Sequence, residues 1–277
     1  MSRRIVTLTT DFGLRDPFVG IMKGVILGLN SEVELVDLSH QVNSHDILDG
    51  AFTLLESYRF FPPDTVHLVV VDPGVGSARR PILARTLKHT FVAPDNGVLS
   101  LALEREETVE VRHVTADQYF LKPVSNTFHG RDVFAPVAGW LSRGIGPDKF
   151  GEVITDYVRT VPGKPPRPQR ITANGANEVR GAVLKIDRFG NVITNLAPED
   201  VPELFRESPP PFRIVVNRHE ITRLTSAYAG AAPAETVAIL GSAGFIELAT
   251  NLGSAAERLG AGPGTEVAVV FVGQTQV

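Results

Sequence analysis

Cysteine is absent from the 277 residues, which excludes disulfides, zinc–thiolate sites and thiol nucleophiles. No apolar run approaches the ~18 residues of a membrane helix. The opening "MSRRIVTLTTDF" is charged but lacks the roughly 7–15-residue apolar stretch of a secretory signal. Aromatic residues are few, at 7%, and none interleaves with the basic runs Arg3-Arg4, Arg79-Arg80 and Lys164–Arg170 as a base-stacking surface requires. A net charge of −4 gives no strong bias of either sign. These absences predict a soluble cytoplasmic protein without nucleic-acid or membrane partners.

What is present is ordinary globular composition, 43% hydrophobic and 21% charged, in a chain long enough for one large or two moderate domains. From Ile5 to about Tyr157, short β-branched runs alternate with stretches of helical period. Strands are predicted at Ile5–Thr9, Val33–Leu38, Val66–Val71, Ile82–Thr86, Thr90–Ala93 and Val109–Val114, with helices at Pro17–Leu29, Asp46–Phe60 and Arg131–Ser142. Residues 161–177, "VPGKPPRPQRITANGAN", hold four prolines and two glycines without apolar periodicity, and read as a semi-rigid linker. Beyond it, strand-like runs at Gly181–Ile186, Asn191–Asn195, Phe212–Val216, Thr236–Leu240, Phe245–Ala249 and Val267–Val272 recur at barrel-like spacing. The expected architecture is an α/β domain (1–160) with a central, mostly parallel sheet, then an all-β small barrel (178–277).

Ligands of open α/β sheets bind outside the carboxyl ends of the strands. Two predicted strand exits are rich in polar residues, "TTDFGLRD" and "VDPGVGSARR". Each sets an Asp at the exit with glycine close behind, although Asp-Pro-Gly is also a common turn. Asp16 before Pro17 reads as a helix cap. Asp11 lies five residues too early for that role, and its two acceptor oxygens suit a vicinal diol such as a ribose. His129, in "NTFHGRDVF", precedes a helix and can project into a cleft, yet loops hold many idle histidines. "PDNGVL" (94–99) reads as a structural Asn-Gly turn. "IDRFGNVITN" (186–195) is either a plain hairpin turn or a recognition turn, with Asp187 for an ammonium, Phe189 for a base and Asn191 for amide readout.

Taken together, "TTDFGLRDPFVGIMKG", "VVVDPGVGSARR", "APDNGVLS", "TFHGRDVFAPVA", "DRFGNVITN" and "GSAGFIELATNLGSAA" resemble, in order and over nearly the whole chain, the S-adenosyl-L-methionine (SAM) hydroxide adenosyltransferases, relatives of the fluorinating and chlorinating enzymes. Each stretch alone is common; six in this order are specific. The resemblance implies hydrolysis of SAM to adenosine and L-methionine without a metal or other cofactor. It also implies a homotrimer whose sites lie between the N-domain of one subunit and the C-domain of its neighbour. It places an Asp-Arg-His triad on Asp72, Arg79 and His129, with either Asp72 or His129 taking the proton of an attacking water. Asp11 matches a ribose-binding acid, Asp187 the holder of the methionine ammonium, Phe189 and Asn191 a nucleoside-contacting pair, and Ser242 and Asn251 a C-terminal ligand loop.

Departures favour the hydrolytic branch. The halogenating relatives carry an insertion of roughly twenty residues where only Leu87, Lys88 and His89 separate two strands here, well beyond the ~2–5 residues of a hairpin connection. They lack the acid at Asp72 and have serine at Gly130. Separately, Ala243 and Thr250 stand where the fluorinating enzymes have arginines, so the resemblance does not carry over the carboxylate and adenine contacts of that C-terminal loop. A non-catalytic nucleoside-binding module would need no triad. A metal-dependent phosphohydrolase would need clustered His and carboxylate ligands that the sequence does not set together.

Overall fold

The computed structural model describes residues 4–173 and 176–271. The chain divides into two compact units, Met1–Gly163 and Lys164–Val277.

In the first unit, strands β1 (Ile5–Thr10), β2 (Glu34–Ser39), β3 (Val66–Val70), β4 (Pro81–Thr86), β5 (Thr90–Pro94), β6 (Val109–His113) and β7 (Val153–Ile154) form one sheet in the order β2-β1-β3-β5-β4-β6-β7. Helices α1 (Phe18–Leu29), α2 (Ile47–Ser57), α3 (Ser100–Leu103) and α4 (Ala135–Ser142) accompany it. The expectation of a mostly parallel sheet is corrected to a mixed one. Pairings β1–β2, β1–β3 and β3–β5 are parallel, whereas β4–β5, β4–β6 and β6–β7 are antiparallel. For β4–β5 the reason is connection length: three residues join them, and a parallel pair needs a crossover of about a dozen or more.

Alternation along β1 and β3 divides the core between the two faces of the sheet. Val6, Leu8, Leu68 and Val70 pack with Met22, Ile26, Phe134 and Val137 of the α1 and α4 segments. On the other face, His67 stacks on Phe91, its Nδ1 lies 2.8 Å from Thr7 Oγ1, and its ring meets Tyr58 edge-on. Burial lowers the His67 pKa to about 3, so this imidazole is neutral in the folded protein. Asp46 caps α2 by accepting from Asp49 N. The cap expected at Asp16 does not form: α1 begins one residue later, with Pro17 at its N-cap and no side-chain bond.

The second unit is all β, with one short helix. Strands β8 (Gln169–Ala173), β9 (Ala176–Ile186), β10 (Val192–Thr194), β11 (Phe212–Val216), β12 (His219–Ile221), β13 (Leu224–Thr225), β14 (Thr236–Leu240), β15 (Ile246–Thr250) and β16 (Glu266–Phe271) form one curled sheet, and α5 spans Ala255–Leu259. The pairing path runs β12-β11-β16-β9-β10-β15-β14-β13, with β8 on β9. Among the described residues no ladder joins β12 to β13, so the expected barrel is a half-barrel left open on that side. The curl centres on β9, which pairs with β16 through residues 177–182 and with β10 through residues 183–186. Strand β8 lies within the stretch read as linker. Asn174 and Gly175 of that stretch, and Val272 of the last predicted strand, lie outside the described residues.

Candidate active site

Strand β3 is buried along its whole length and delivers Asp72 to a loop at its carboxyl end. The loop turns through Val75 N to Asp72 O (3.2 Å) and Ser77 N to Gly74 O (3.1 Å), which brings Arg79 back over Asp72. Arg79 Nε donates to Asp72 Oδ1 at 2.9 Å and Nη2 donates to Oδ2, a bidentate pair with both side chains buried. The same Nη2 lies 2.8 Å from His129 Nδ1, and the guanidinium carbon sits 5.1 Å from the Phe134 ring centroid. Arg79 Nη1 is buried and has no hydrogen-bond partner among the described residues.

These contacts fix the chemistry of His129. A guanidinium has only donors, so Nδ1 must be the acceptor and the neutral ring carries its proton on Nε2. Burial, then the Arg79 charge, lowers the His129 pKa below its ordinary value, with Asp72 and Asp132 opposing. His129 stands at the entry to a π-helical turn, Gly130–Phe134, that leads into α4. Asp132 of that turn is fully buried; it binds Arg131 and accepts from Ser125 N at 2.8 Å, pinning the loop that carries His129. A Cβ on Gly76 would lie 2.4 Å from Asn126 O, and its φ is +76°. Its missing side chain therefore lets the two loops of the triad touch each other.

Asp11 has a structural task as well: its Oδ2 accepts from His45 N at 2.8 Å, where His45 has φ of +66°. Asn96 of the "PDNGVL" turn donates to Val71 O at 2.8 Å and closes the end of β3.

In the second unit the β9–β10 turn is both a hairpin and a polar site. Asp187 Oδ1 accepts from Phe189 N and Asn191 N, and Oδ2 accepts from Asn191 Nδ2, each at 2.8 Å. The turn lines a cavity of about 600 Å³ with Asp187, Phe189, Asn191, Tyr228, Thr250, Asn251, Leu252 and Gly253. Phe189 is 79% and Leu252 90% exposed at its wall. Asn251 reaches the cavity, but its Nδ2 donates to Ala231 O at 2.7 Å. Ser242 is exposed in the β14–β15 turn and does not line the cavity.

A family profile described as the SAM hydroxide adenosyltransferase N-terminal domain matches residues 6–151, and one described as the C-terminal domain of the same family matches residues 181–268. The chain belongs to the SAM hydroxide adenosyltransferase family. An (R)-S-adenosyl-L-methionine hydrolase of Thermus thermophilus is 36% identical over 95% of this chain and 98% of that protein. A fluorinase of Nocardia brasiliensis, a more distant relative, is 26% identical over 92% of each chain. Among solved structures, an uncharacterized conserved protein from Thermotoga maritima superposes with a TM-score of 0.85 at 35% identity, covering 96% of this chain and 99% of that one. Among the described residues, no trio of His, Cys, Asp or Glu is arranged to hold a metal ion, and no helix is long and apolar enough to cross a membrane.

Sequence reasoning missed Phe134, Tyr228 and Leu252. Phe134 carried a signal, as the aromatic in "HGRDVF". Tyr228 and Leu252 carried none, since one stands alone among alanines and the other reads as an ordinary loop leucine.

Proposed function

We propose that this chain, working in the cytoplasm without a cofactor, hydrolyses S-adenosyl-L-methionine to adenosine and L-methionine by in-line attack of water at C5′. The observation that carries this is the hydrogen-bonded Asp72–Arg79–His129 cluster, its Asp72–Arg79 pair buried and His129 half-buried, in a chain whose relatives at 33–37% identity are hydrolases of this substrate by name. The sulfonium is an excellent leaving group, so placing and polarising one water is sufficient chemistry. Buried N–H groups require acceptors, and Arg79 Nη1 supplies the free donor that orients the water oxygen. As that oxygen's other lone pair forms the C5′–O bond, the C5′–S bond breaks. Its electrons leave with methionine as a neutral thioether. The proton goes to Asp72, because the Nδ1 lone pair of His129 is already engaged by Arg79 and Nε2 already carries hydrogen. His129 then acts as the acceptor that, through Nδ1, fixes the Arg79 guanidinium in place.

Asp11 is assigned to the ribose diol, Asp187 to the methionine ammonium, and Phe189 and Asn191 to the nucleoside. Asn251 is assigned to the ligand loop at the cavity, and Ser242, outside the cavity lining, to the same loop by resemblance alone. The triad belongs to the first unit and the cavity to the second, and Phe189 and Leu252 expose apolar surface beside that cavity. A homotrimer in which each site joins the two halves from neighbouring copies would cover this surface.

Halogenation is the second reading, because fluorinases are relatives. A carboxylate ~4 Å from a bound halide opposes it by about 4 kcal/mol at an effective dielectric near 20, a term that water escapes and Arg79 reduces. The test is incubation with SAM in ¹⁸O-water, with and without chloride or fluoride. Adenosine labelled at its 5′-hydroxyl, with no halogenated nucleoside, is expected. S-adenosylhomocysteine, or a halogenated product at a comparable rate, would overturn the reading.

A further inference from the structure

We propose that Glu247 is a positioning residue: its buried carboxyl holds the Tyr228 ring as a fixed wall of the second unit's cavity and so sets the affinity for the nucleoside. The inference rests on the reading of that cavity as a nucleoside subsite.

Strand β15 alternates, with Ile246 and Leu248 fully buried in the core of the half-barrel. Glu247 points to the other face, between its register partners Ile193 of β10 and Ile239 of β14. It is only 6% exposed. Around it, Ala231, Val237, Ile239 and Ala249 form a small apolar cluster that an aliphatic side chain would extend. A carboxyl here breaks the local pattern, and such breaks gather at functional positions. Burial raises its pKa, Asp187 raises it further, and the Tyr228 hydroxyl, donating to Oε2 at 3.3 Å, opposes them.

The chain is shaped around this carboxyl. A Cβ on Gly241 would lie 1.8 Å from Glu247 Oε1, so any other residue at position 241 displaces the acid. Tyr228, in turn, is half exposed on a surface loop, where a ring with two free torsions gives a ligand no defined face. Its loop is tied at the backbone, where Asn251 Nδ2 donates to Ala231 O at 2.7 Å and Arg223 Nη2 donates to Gly230 O at 2.6 Å. Glu247 ties the far end of the ring. With both ends held, the wall is ordered before the ligand arrives, which lowers the entropy lost on binding.

The test compares adenosine affinity by calorimetry, and kcat and KM for SAM, in the parent protein and in Glu247→Ala, Glu247→Leu, Glu247→Gln, Tyr228→Phe and the Tyr228→Phe/Glu247→Ala double variant. Loss of the tether should weaken adenosine about three- to tenfold and raise KM by a like factor, with kcat changing less. Glu247→Gln, whose amide oxygen still accepts the hydroxyl, should recover most of that loss, and the double variant should be no weaker than either single one. Glu247→Leu removes a buried acid and should melt no lower than the parent while still binding adenosine more weakly, which separates positioning from a purely structural role. A parent protein that binds adenosine while Glu247→Leu and Tyr228→Phe bind it equally well overturns the positioning role alone. So does a double variant whose loss is the product of the two single losses. A parent that binds no adenosine overturns the subsite reading, and this role with it.

Discussion

At Asp72, Arg79 and His129, roles follow from which lone pairs and protons are already engaged. Arg79 binds both Asp72 oxygens and the His129 Nδ1, so no member can be altered without changing the others. Asp72→Asn, Arg79→Ala and His129→Ala are each expected to lower kcat by about 10²–10⁴-fold with adenosine affinity nearly unchanged. Calorimetry beside single-turnover kinetics checks this, and losses under tenfold at all three positions would remove the triad. The imidazole also predicts an acid limb. A pKa lowered below 6.5 means that the neutral ring persists through neutral pH and gains its proton only as pH falls further. That proton has to sit on Nδ1, against the Arg79 guanidinium, and breaks their contact. The kcat should therefore be flat above about pH 6.5 and fall below it, and in His129→Asn the residual rate should lose the part of the limb that belongs to the imidazole. A parent protein faster at pH 5 than at pH 7 would contradict the assignment.

At the scale of elements, the site depends on two loops meeting. The loop after β3 carries Asp72 and Arg79, and the loop before the π-helical turn carries His129. They touch where Gly76 faces the Asn126 carbonyl. Gly76→Ala would put a Cβ 2.4 Å from that oxygen at a φ of +76°, so it is expected to lower stability by about 1–3 kcal/mol and to reduce kcat by separating Arg79 from His129. Gly74→Ala meets Ser77 Oγ at 3.3 Å, Arg79 Cγ at 3.4 Å and Asp72 Oδ1 at 3.9 Å at an ordinary φ, and should be milder on both counts. Chemical denaturation with parallel kinetics measures the pair. Equal effects of the two substitutions would mean that the loop contact does not set the geometry.

For the whole molecule, complementation tests the proposal that one site combines the triad of the first unit with the cavity of the second. If the two come from different copies, a protein with Asp72→Ala mixed with one carrying Asp187→Ala must regain activity once subunits exchange, because some interfaces then carry neither lesion. Sedimentation should give a trimer, and the mixture should exceed the activity of either parent variant. Full activity in a monomer, or no recovery after verified exchange, would place the complete site within one chain.

Much of this was legible locally. β1, β3, β5, α2 and the hairpin at Asp187 follow from β-branched runs, helical period and turn residues, because these signals act over a few residues and are satisfied within the element. Asp72 at the end of β3 could be picked out for the same reason, while its partners Arg79 and His129 were assigned by resemblance rather than by spacing. What depended on distant segments was not legible. The β4–β6 and β6–β7 pairings of the first sheet arise from how β6 and β7 find edges to pair with, and the open side of the second from the absence, among the described residues, of a ladder between β12 and β13. Whether Gly76 serves a ligand or a second loop, whether Asp11 is free or holds His45, and that Tyr228 and Leu252 share a cavity with Asp187 depend on residues tens of positions apart. Local propensity fixes which atoms a segment can offer; only packing decides which of them meet, because burial, hydrogen-bond satisfaction and charge pairing are properties of neighbours in space.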